Sequence, residues 1–438
     1  MEENDDSVVD ENNSEEESDH EAVTGISLPL PQRNLTGRRG NAFHKTTSHC
    51  FILIREALVR QQWEKAAELM ISYLQTLESG TTEAQRLAPE IIWRLGGEIL
   101  LNHPKSTVDN VSMFYEQMKN IGIKNYLQIS LEQAFYLLCN GQKEEAYRIL
   151  TAAESWKYGK VPITQENSIK LIQAYRGLIE YQSWLDKKTA VNHRDMGYAS
   201  RLSAVQEMGI FHQQAKIAFQ GIITFPGVWD PFIQCYVDLL ESSGDNQAIE
   251  KILRDYAYSS KNPANPNAHV YLYDFLKRTR ASIETLIDVL QGLYVLVPSH
   301  KLMLEYTDLL KHSESEEHRH LALEVLFDLL DFSGWKQSIE AWTRLAKLLK
   351  KTFKRERQSW VVDLWNSRRS WWPVYHFTTA HATKDWQENQ ALSLRKALVS
   401  GVLLGKGCEY FRSVRRLGKG EKAKKIKTLK TFVKRYSC

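Results

Sequence analysis

The lysines and arginines near the carboxyl end are the residues whose type and spacing point most clearly to chemistry, namely contact with phosphate. Residues 406–438 contain twelve Lys or Arg against two glutamates. From Ala423 to Tyr436 apolar residues recur every three or four positions, so they line one face of a helix while lysines occupy the others. A basic amphipathic helix suits nucleic-acid phosphates, a nuclear-import receptor or an anionic membrane surface.

The segment carries no lipidation signal, which favours phosphate contact or nuclear import over a membrane surface. We therefore predict that its cations contact DNA phosphates. The candidate residues are Arg412, Arg415, Arg416, Lys419, Lys422, Lys424, Lys425, Lys427, Lys430, Lys434 and Arg435.

A second basic zone precedes the first, between residues 344 and 369, where nine Lys or Arg accompany two carboxylates. Its candidate contacts are Lys350, Lys351, Lys354, Arg355, Arg357, Arg368 and Arg369. Seven of the twelve tryptophans lie between residues 335 and 386, and Arg with Trp can stack on bases or hold a partner. Trp342, Trp360 and Trp365 nevertheless fall at helical spacing, which is more typical of a core.

The glycine-rich string at residues 401–407, GVLLGKG, resembles a phosphate-binding loop but lacks its required spacing. Three residues instead of four separate its first two glycines, and Gly407 stands where a hydroxyl would hold magnesium. The string also follows a helical pattern where a strand is needed. We predict a turn or a close helix contact there, without a nucleotide.

Residues that could hold a metal or catalyse a reaction form no convincing set. His312, His318 and His320 lie among glutamates before an apolar run, which is more typical of a helix N-terminus than of a metal site. The five cysteines are scattered without a CxxC pair, and no Ser-His-Asp or Cys-His arrangement is visible. The sequence therefore predicts a protein that is not an enzyme and needs no cofactor or metal.

The elements that must position these residues are helices. Apolar residues at three- and four-residue spacing recur along the chain in about a dozen runs, and most prolines fall between the runs. The strings NGQKEEA at 140–146 and SGDNQA at 243–248 are typical of tetratricopeptide hairpins, although their separation is not the ~34-residue period of that repeat. We predict an all-α, irregular helical-repeat (tetratricopeptide-like) scaffold, with a non-repetitive helical fold as the alternative.

The predicted domain organisation follows the charge distribution. Eleven carboxylates and no Lys or Arg lie between residues 2 and 21, so residues 1–45 are predicted to be a disordered acidic head. The helical scaffold is predicted over 46–417 and the basic tail helix over 418–438. The amino end resembles neither a secretory signal nor a mitochondrial presequence, and no apolar run reaches the ~18 residues of a membrane span, so we expect the cytosol or nucleus.

Several longer sequence strings resemble those of one known protein family, and they occur in the same order along the chain. They are APEIIWRLG at 88–96, HPKS at 103–106, MKNIG at 118–122, PGVWDPF at 226–232, NPNAHVYLY at 265–273, VPSHKLMLE at 297–305, WWP at 371–373 and LLGKGC at 403–408. In these strings the chain resembles the TATA-binding-protein-associated factors of RNA polymerase I, in particular the family of the A subunit. The resemblance runs from about residue 50 to 436, with no firm correspondence in the acidic head or at 187–220.

The resemblance implies a subunit of the promoter selectivity complex, in which TATA-binding protein and other RNA polymerase I TBP-associated factors bind the ribosomal RNA gene promoter. It also implies promoter DNA within the complex, indirect contact with upstream binding factor and RNA polymerase I, and residence in the nucleus and nucleolus. No base-reading or catalytic residue is carried over from the family. The rival classes are a cytoplasmic tetratricopeptide-like adaptor with no DNA role and an unrecognised enzyme.

Overall fold

A computed structural model describes residues 42–77, 82–121, 123–156, 163–192, 198–313, 315–418 and 423–436. Over these ranges the chain is α-helical with short 3-10 and π segments and has no β-strand, which confirms the all-α prediction. No helix within the described ranges is long and apolar enough to cross a membrane. Of the predicted acidic head, residues 1–41 lie outside the described residues.

The described residues fall into two compact units, one ending at Gln142 and the other beginning at Lys143. The helices of the first unit are α1 (Ala42–Val59), α2 (Trp63–Leu77), α3 (Thr82–Ile91), α4 (Gly97–Asn102), α5 (Val108–Ile121) and α6 (Tyr126–Cys139). A π turn joins α3 to α4 over Ile92–Gly96. Its Trp93 is buried, and the indole Nε1 donates a hydrogen bond to Glu132 Oε2 at 2.8 Å, so a carboxylate on α6 fixes this turn.

The second unit contains the predicted functional residues. Its helices are α7 (Lys143–Ser155), α8 (Ile163–Asn192), α9 (Tyr198–Ile223), α10 (Asp230–Ser242), α11 (Asn246–Tyr258), α12 (Pro266–Arg278), α13 (Ile283–Leu296), α14 (Met303–His312), α15 (Glu316–Asp331), α16 (Ile339–Lys354), α17 (Gln358–Asn366), α18 (Trp372–His376), α19 (Thr379–Glu388), α20 (Gln390–Leu404), α21 (Glu409–Leu417) and α22 (Ala423–Arg435). The region at 187–220 that showed no firm family correspondence contains the end of α8 and most of α9.

Short polar side chains and glycines mark where these helices begin and end. Ser282 and Ser338 accept hydrogen bonds from backbone amides in the first turns of α13 and α16, and so satisfy donors that a helix start leaves free. Gly141 and Gly244 adopt φ values of +76° and +72°, a conformation that other residues rarely take. A turn is therefore present at each of the two predicted glycines.

Helix α20 is the central element of the carboxyl-terminal part of this unit. It packs against α16, α19, α21 and α22, and its residues are buried on nearly all sides from Leu392 to Leu403. A helix buried on nearly all sides depends for its position on the neighbours that cover those sides. Helix α20 therefore fixes the positions of the helices that carry the predicted phosphate contacts.

Candidate nucleic-acid interface

The basic tail helix α22 lies on α20 through its apolar stripe, as its amphipathic sequence predicts. Val433 is 0% exposed at this contact. Gly401 of α20 makes the approach possible, because a Cβ at that position would lie 2.8 Å from Val433 Cγ2 and 3.0 Å from Phe411 Cδ2. The same glycine thus receives α22 on one side and α21 on the other.

The other end of the stripe packs in a similar way. A Cβ at Gly418 would overlap Ile426 Cδ1 and lie 2.8 Å from the ring of Trp386, so the absence of a side chain at 418 lets α22 close onto α19. The lysines of α22 point away from these contacts and are exposed. The helix is therefore held by apolar residues while its charges stay available.

The structure brings α22 together with the amino-terminal part of the second basic zone. The rings of Phe353 on α16 and Tyr436 lie 6.1 Å apart, and Lys350 Nζ lies 5.7 Å from the ring centroid of Phe432. Partial burial, and then the positive charges of Arg395 and Lys354, lower the pKa of Lys350. Cations at this junction are therefore close enough to repel one another, and an anion between them would relieve the repulsion.

The cations at residues 350–354 of α16, the Arg355 that follows this helix and the cations of α22 form what we call the α16–α22 basic surface. Its members are Lys350, Lys351, Lys354, Arg355, Lys424, Lys425, Lys427, Lys430, Lys434 and Arg435. Helix α22 contains no carboxylate. Among the described residues, the ion pairs that involve predicted phosphate contacts are those of Arg357 and Arg368, so no carboxylate of the described ranges forms an ion pair with this surface.

Helix α21 adds three further predicted contacts beside this surface. Arg412, Arg415 and Arg416 are exposed, whereas Tyr410 and Phe411 are buried against α19 and α20. The predicted contacts Lys419 and Lys422 lie outside the described residues.

The carboxyl-terminal part of the second basic zone is arranged differently, and there the prediction for Arg368 is wrong. Arg368 is buried and forms ion pairs with Asp328 and Asp331 of α15, the latter at 2.8 Å. A guanidinium held by two carboxylates in the core cannot reach a phosphate. Arg357 is exposed but paired with Glu316 at 2.7 Å, and Arg369 is exposed.

The tryptophans of this zone mainly build the core. Trp342, Trp365 and Trp372 are buried, and the rings of Trp342 and Trp372 lie 6.1 Å apart. The helical-spacing interpretation is therefore confirmed for Trp342 and Trp365, while Trp360 is partly buried. These rings do not provide a free stacking face for bases.

Two other sequence features have structural roles. Helix α20 ends at Leu404, and Gly405 follows it with φ of +79°, which confirms the predicted turn. Ser315 caps α15 and Glu316 and Glu317 occupy its first turn, which confirms the predicted helix start. Within the described ranges no group of three or more His, Cys, Asp or Glu could hold a metal ion.

A buried polar cluster beneath the basic surface escaped the sequence analysis. Lys396 of α20 is 1% exposed, and its Nζ donates to Asp385 Oδ2 of α19 at 2.9 Å. The hydroxyl of Tyr410 on α21 donates to the same oxygen at 2.7 Å, and Lys396 Nζ lies 5.5 Å from the ring of Trp342 on α16. The available signal was Lys396, which follows Arg395 within the helical pattern at 391–402. The cluster links four helices that support α22.

The charge of Lys396 also affects a neighbouring histidine. His376 is 0% exposed, and burial followed by the positive charge of Lys396 lowers its pKa to about 3. Its Nε2 lies 3.1 Å from the carbonyl oxygen of Leu330, a contact in which the neutral imidazole donates. The imidazole therefore stays neutral at physiological pH and belongs to the core rather than to a proton-transfer site.

Replacing Val433 by aspartate is expected to detach α22 from α20. Burial of a valine contributes about 1.5–3 kcal/mol, and an unpaired carboxylate cannot take its place in an apolar contact. Amide hydrogen exchange over residues 423–436 should then accelerate by at least about tenfold. Thr431→Asp is the matched control, because Thr431 is exposed on the same helix. Unchanged protection in Val433→Asp would contradict the docking of α22.

Comparison with known proteins decides the family. Residues 56–416 match the family of the TAF RNA Polymerase I A subunit. The chain belongs to this family. The match begins inside α1 and ends inside α21, so it covers most of the helices of both units. This family consists of transcription-factor subunits and is not a family of enzymes.

Two curated relatives extend the similarity over nearly the whole chain. The human TATA box-binding protein-associated factor RNA polymerase I A subunit is 45% identical over 430 residues, which cover 97% of this chain and 96% of the relative. The mouse protein of the same name is 45% identical over 424 residues, which cover 94% of this chain and 92% of the relative. The resemblance to this family is thus confirmed.

Proposed function

We propose that the protein is a non-enzymatic subunit of the TATA-binding-protein-containing promoter selectivity complex that assembles the RNA polymerase I pre-initiation complex on ribosomal RNA gene promoters. The observation that carries the proposal is the 45% identity to the human relative over 97% of this chain. Similarity of this extent involves the whole helical scaffold rather than one module. The partners in this proposal are TATA-binding protein and the other RNA polymerase I TBP-associated factors.

The proposal assigns contact with promoter DNA to the α16–α22 basic surface and the arginines of α21. Exposed lysines without ion-pair partners attract phosphates and displace the counterions that surround DNA. Phosphate contacts position a protein on DNA without selecting a sequence, so promoter preference belongs to the assembled complex. Upstream binding factor and RNA polymerase I act with this subunit indirectly.

The proposed function places the protein in the nucleus and nucleolus, associated with TATA-binding protein. The test is to express the tagged full chain at its natural level, image it and measure how much TATA-binding protein co-purifies. We expect a nucleolar signal and TATA-binding protein in the purified fraction at near-stoichiometric amount. A diffuse cytoplasmic signal without TATA-binding protein would instead support the tetratricopeptide-like adaptor.

A further inference from the structure

The outer face of α9 exposes four large apolar side chains, interspersed with the exposed Gln206, Gln213 and Gln220. The apolar residues are Leu202, which is 51% exposed, Val205 at 40%, Ile210 at 56% and Ile217 at 61%. Their spacing places them along one side of this 26-residue helix. The opposite side, including Phe219, is buried against α8. Several large apolar side chains exposed together often mark an interaction site, and among the described residues no element buries these four.

A cavity opens beside this face. It has a volume of about 290 Å³ and lies between α8, α9 and the end of α10. The cavity is lined by Trp184, Met208, Gly209 and His212, together with the two serines at 242 and 243. Gly209 lines the cavity on the exposed side of α9, and a Cβ there would meet no atom within 4 Å, so no described residue blocks the approach of a partner at this point. The cavity can accept one large side chain from a helix lying along α9.

The charge around this face is positive. Lys188 Nζ lies 4.5 Å above the ring of Trp184 at the edge of the cavity, and Arg201 and Lys216 belong to α9 itself. Glu207 is the sole carboxylate of α9, and it forms an ion pair with Lys187 of α8. Within the part of the chain that the structure describes, Lys188, Arg201 and Lys216 have no carboxylate partner. A cationic rim around an apolar stripe is complementary to an acidic amphipathic helix.

We propose that the outer face of α9 binds an acidic amphipathic helix of another subunit of the same assembly, with one large apolar side chain inserted beside Gly209. This inference rests on the proposed function, because it requires that the protein works within a multisubunit complex. A second copy of the chain is a poorer occupant. Self-pairing of α9 faces would bring Lys188, Arg201 and Lys216 against their own counterparts, and like charges disfavour such a contact.

The test compares variants of the full chain co-expressed with TATA-binding protein and the other RNA polymerase I TBP-associated factors. The variants are Ile210→Glu with Ile217→Glu, which places two carboxylates among the exposed apolar residues, and Gly209→Trp, which puts an indole where the partner would approach the cavity. Val295→Glu is the matched control, because Val295 is 76% exposed on α13 and has the same apolar chemistry. Circular dichroism verifies that each variant folds.

We expect both α9 variants to recover at least tenfold less of one partner subunit than the wild type and the control do. In the wild-type complex, amides of residues 202–217 should exchange more slowly than in the isolated chain. Equal recovery by all variants, or equal exchange in the two states, would overturn the inference and leave the proposed function intact. A wild-type chain that recovers no partner subunit would overturn both.

Discussion

Replacing Lys396 by alanine is expected to lower the free energy of unfolding by about 3–5 kcal/mol. The ammonium group and the Asp385 carboxylate are 1% and 0% exposed, so removal of one partner leaves the other as an uncompensated charge in the core. The hydroxyl of Tyr410 remains to stabilise Asp385, but one hydrogen bond contributes only about 0.5–1.5 kcal/mol. A loss of this size is a large part of the total stability of a typical domain.

Chemical denaturation followed by tryptophan fluorescence measures this loss, because Trp342 lies beside Lys396. Lys384→Ala is the matched control. Lys384 lies on α19 and pairs at 3.8 Å with Glu388, but both side chains are more than half exposed, so its removal should change stability by less than about 1 kcal/mol. If Lys396→Ala and Lys384→Ala were equally stable, the cluster would not hold these helices together.

The double replacement Lys396→Met with Asp385→Leu separates the ion pair from the packing around it. Apolar residues of similar volume often replace a buried pair without loss, because no charge is then left in the core. We expect the double variant to recover most of the stability that Lys396→Ala removes. A double variant as unstable as the single one would mean that the loss comes from misplaced packing rather than from the unpaired carboxylate.

Replacing Lys424, Lys427, Lys430 and Lys434 by glutamine is expected to weaken binding of the complex to promoter DNA by about 10²–10³-fold near 0.1 M salt. These lysines recur every three or four residues, so they share one exposed side of α22. Each released counterion contributes a factor of about 8 at that salt concentration, so the removal of about three phosphate contacts gives an effect of this order. The apolar stripe is untouched, so α22 should remain docked.

The matched control has the same number of Lys→Gln replacements elsewhere. The control replaces Lys251, Lys261, Lys277 and Lys301, which are exposed, belong to the second unit and lie outside the α16–α22 basic surface. We expect this control to bind promoter DNA within about threefold of the wild type, since distant exposed charges are screened over about 10 Å. An equal loss of affinity in both sets would show that general charge, rather than this surface, drives binding.

The tail helix shows what the sequence could predict. Its apolar spacing is local, so the side that contains Ile426, Leu429 and Val433 could be assigned to the docking face without knowledge of the partner helix. The turns at Gly141 and Gly244 are local in the same way, because a short polar string between two apolar runs determines them.

Features that depend on distant residues could not be predicted. Arg368 and Arg369 are neighbours with the same side chain, yet one is buried and the other exposed, because Asp328 and Asp331 approach only position 368 in the folded chain. Lys396 is similar, since its partner on α19 becomes visible only when α19 and α20 pack together. Charge counts therefore identified the basic zones but not which cations remain free.

The salt dependence of promoter binding tests the central claim most directly. The complex that contains the wild-type chain and the complex with four glutamines on α22 are titrated with the same promoter fragment from about 50 to 200 mM salt. The logarithm of the binding constant should fall less steeply for the variant, by about 0.9 for each phosphate that the variant no longer neutralises and thus by about 2–4 in total. Parallel lines of equal slope would contradict the assignment of the α16–α22 basic surface to promoter DNA.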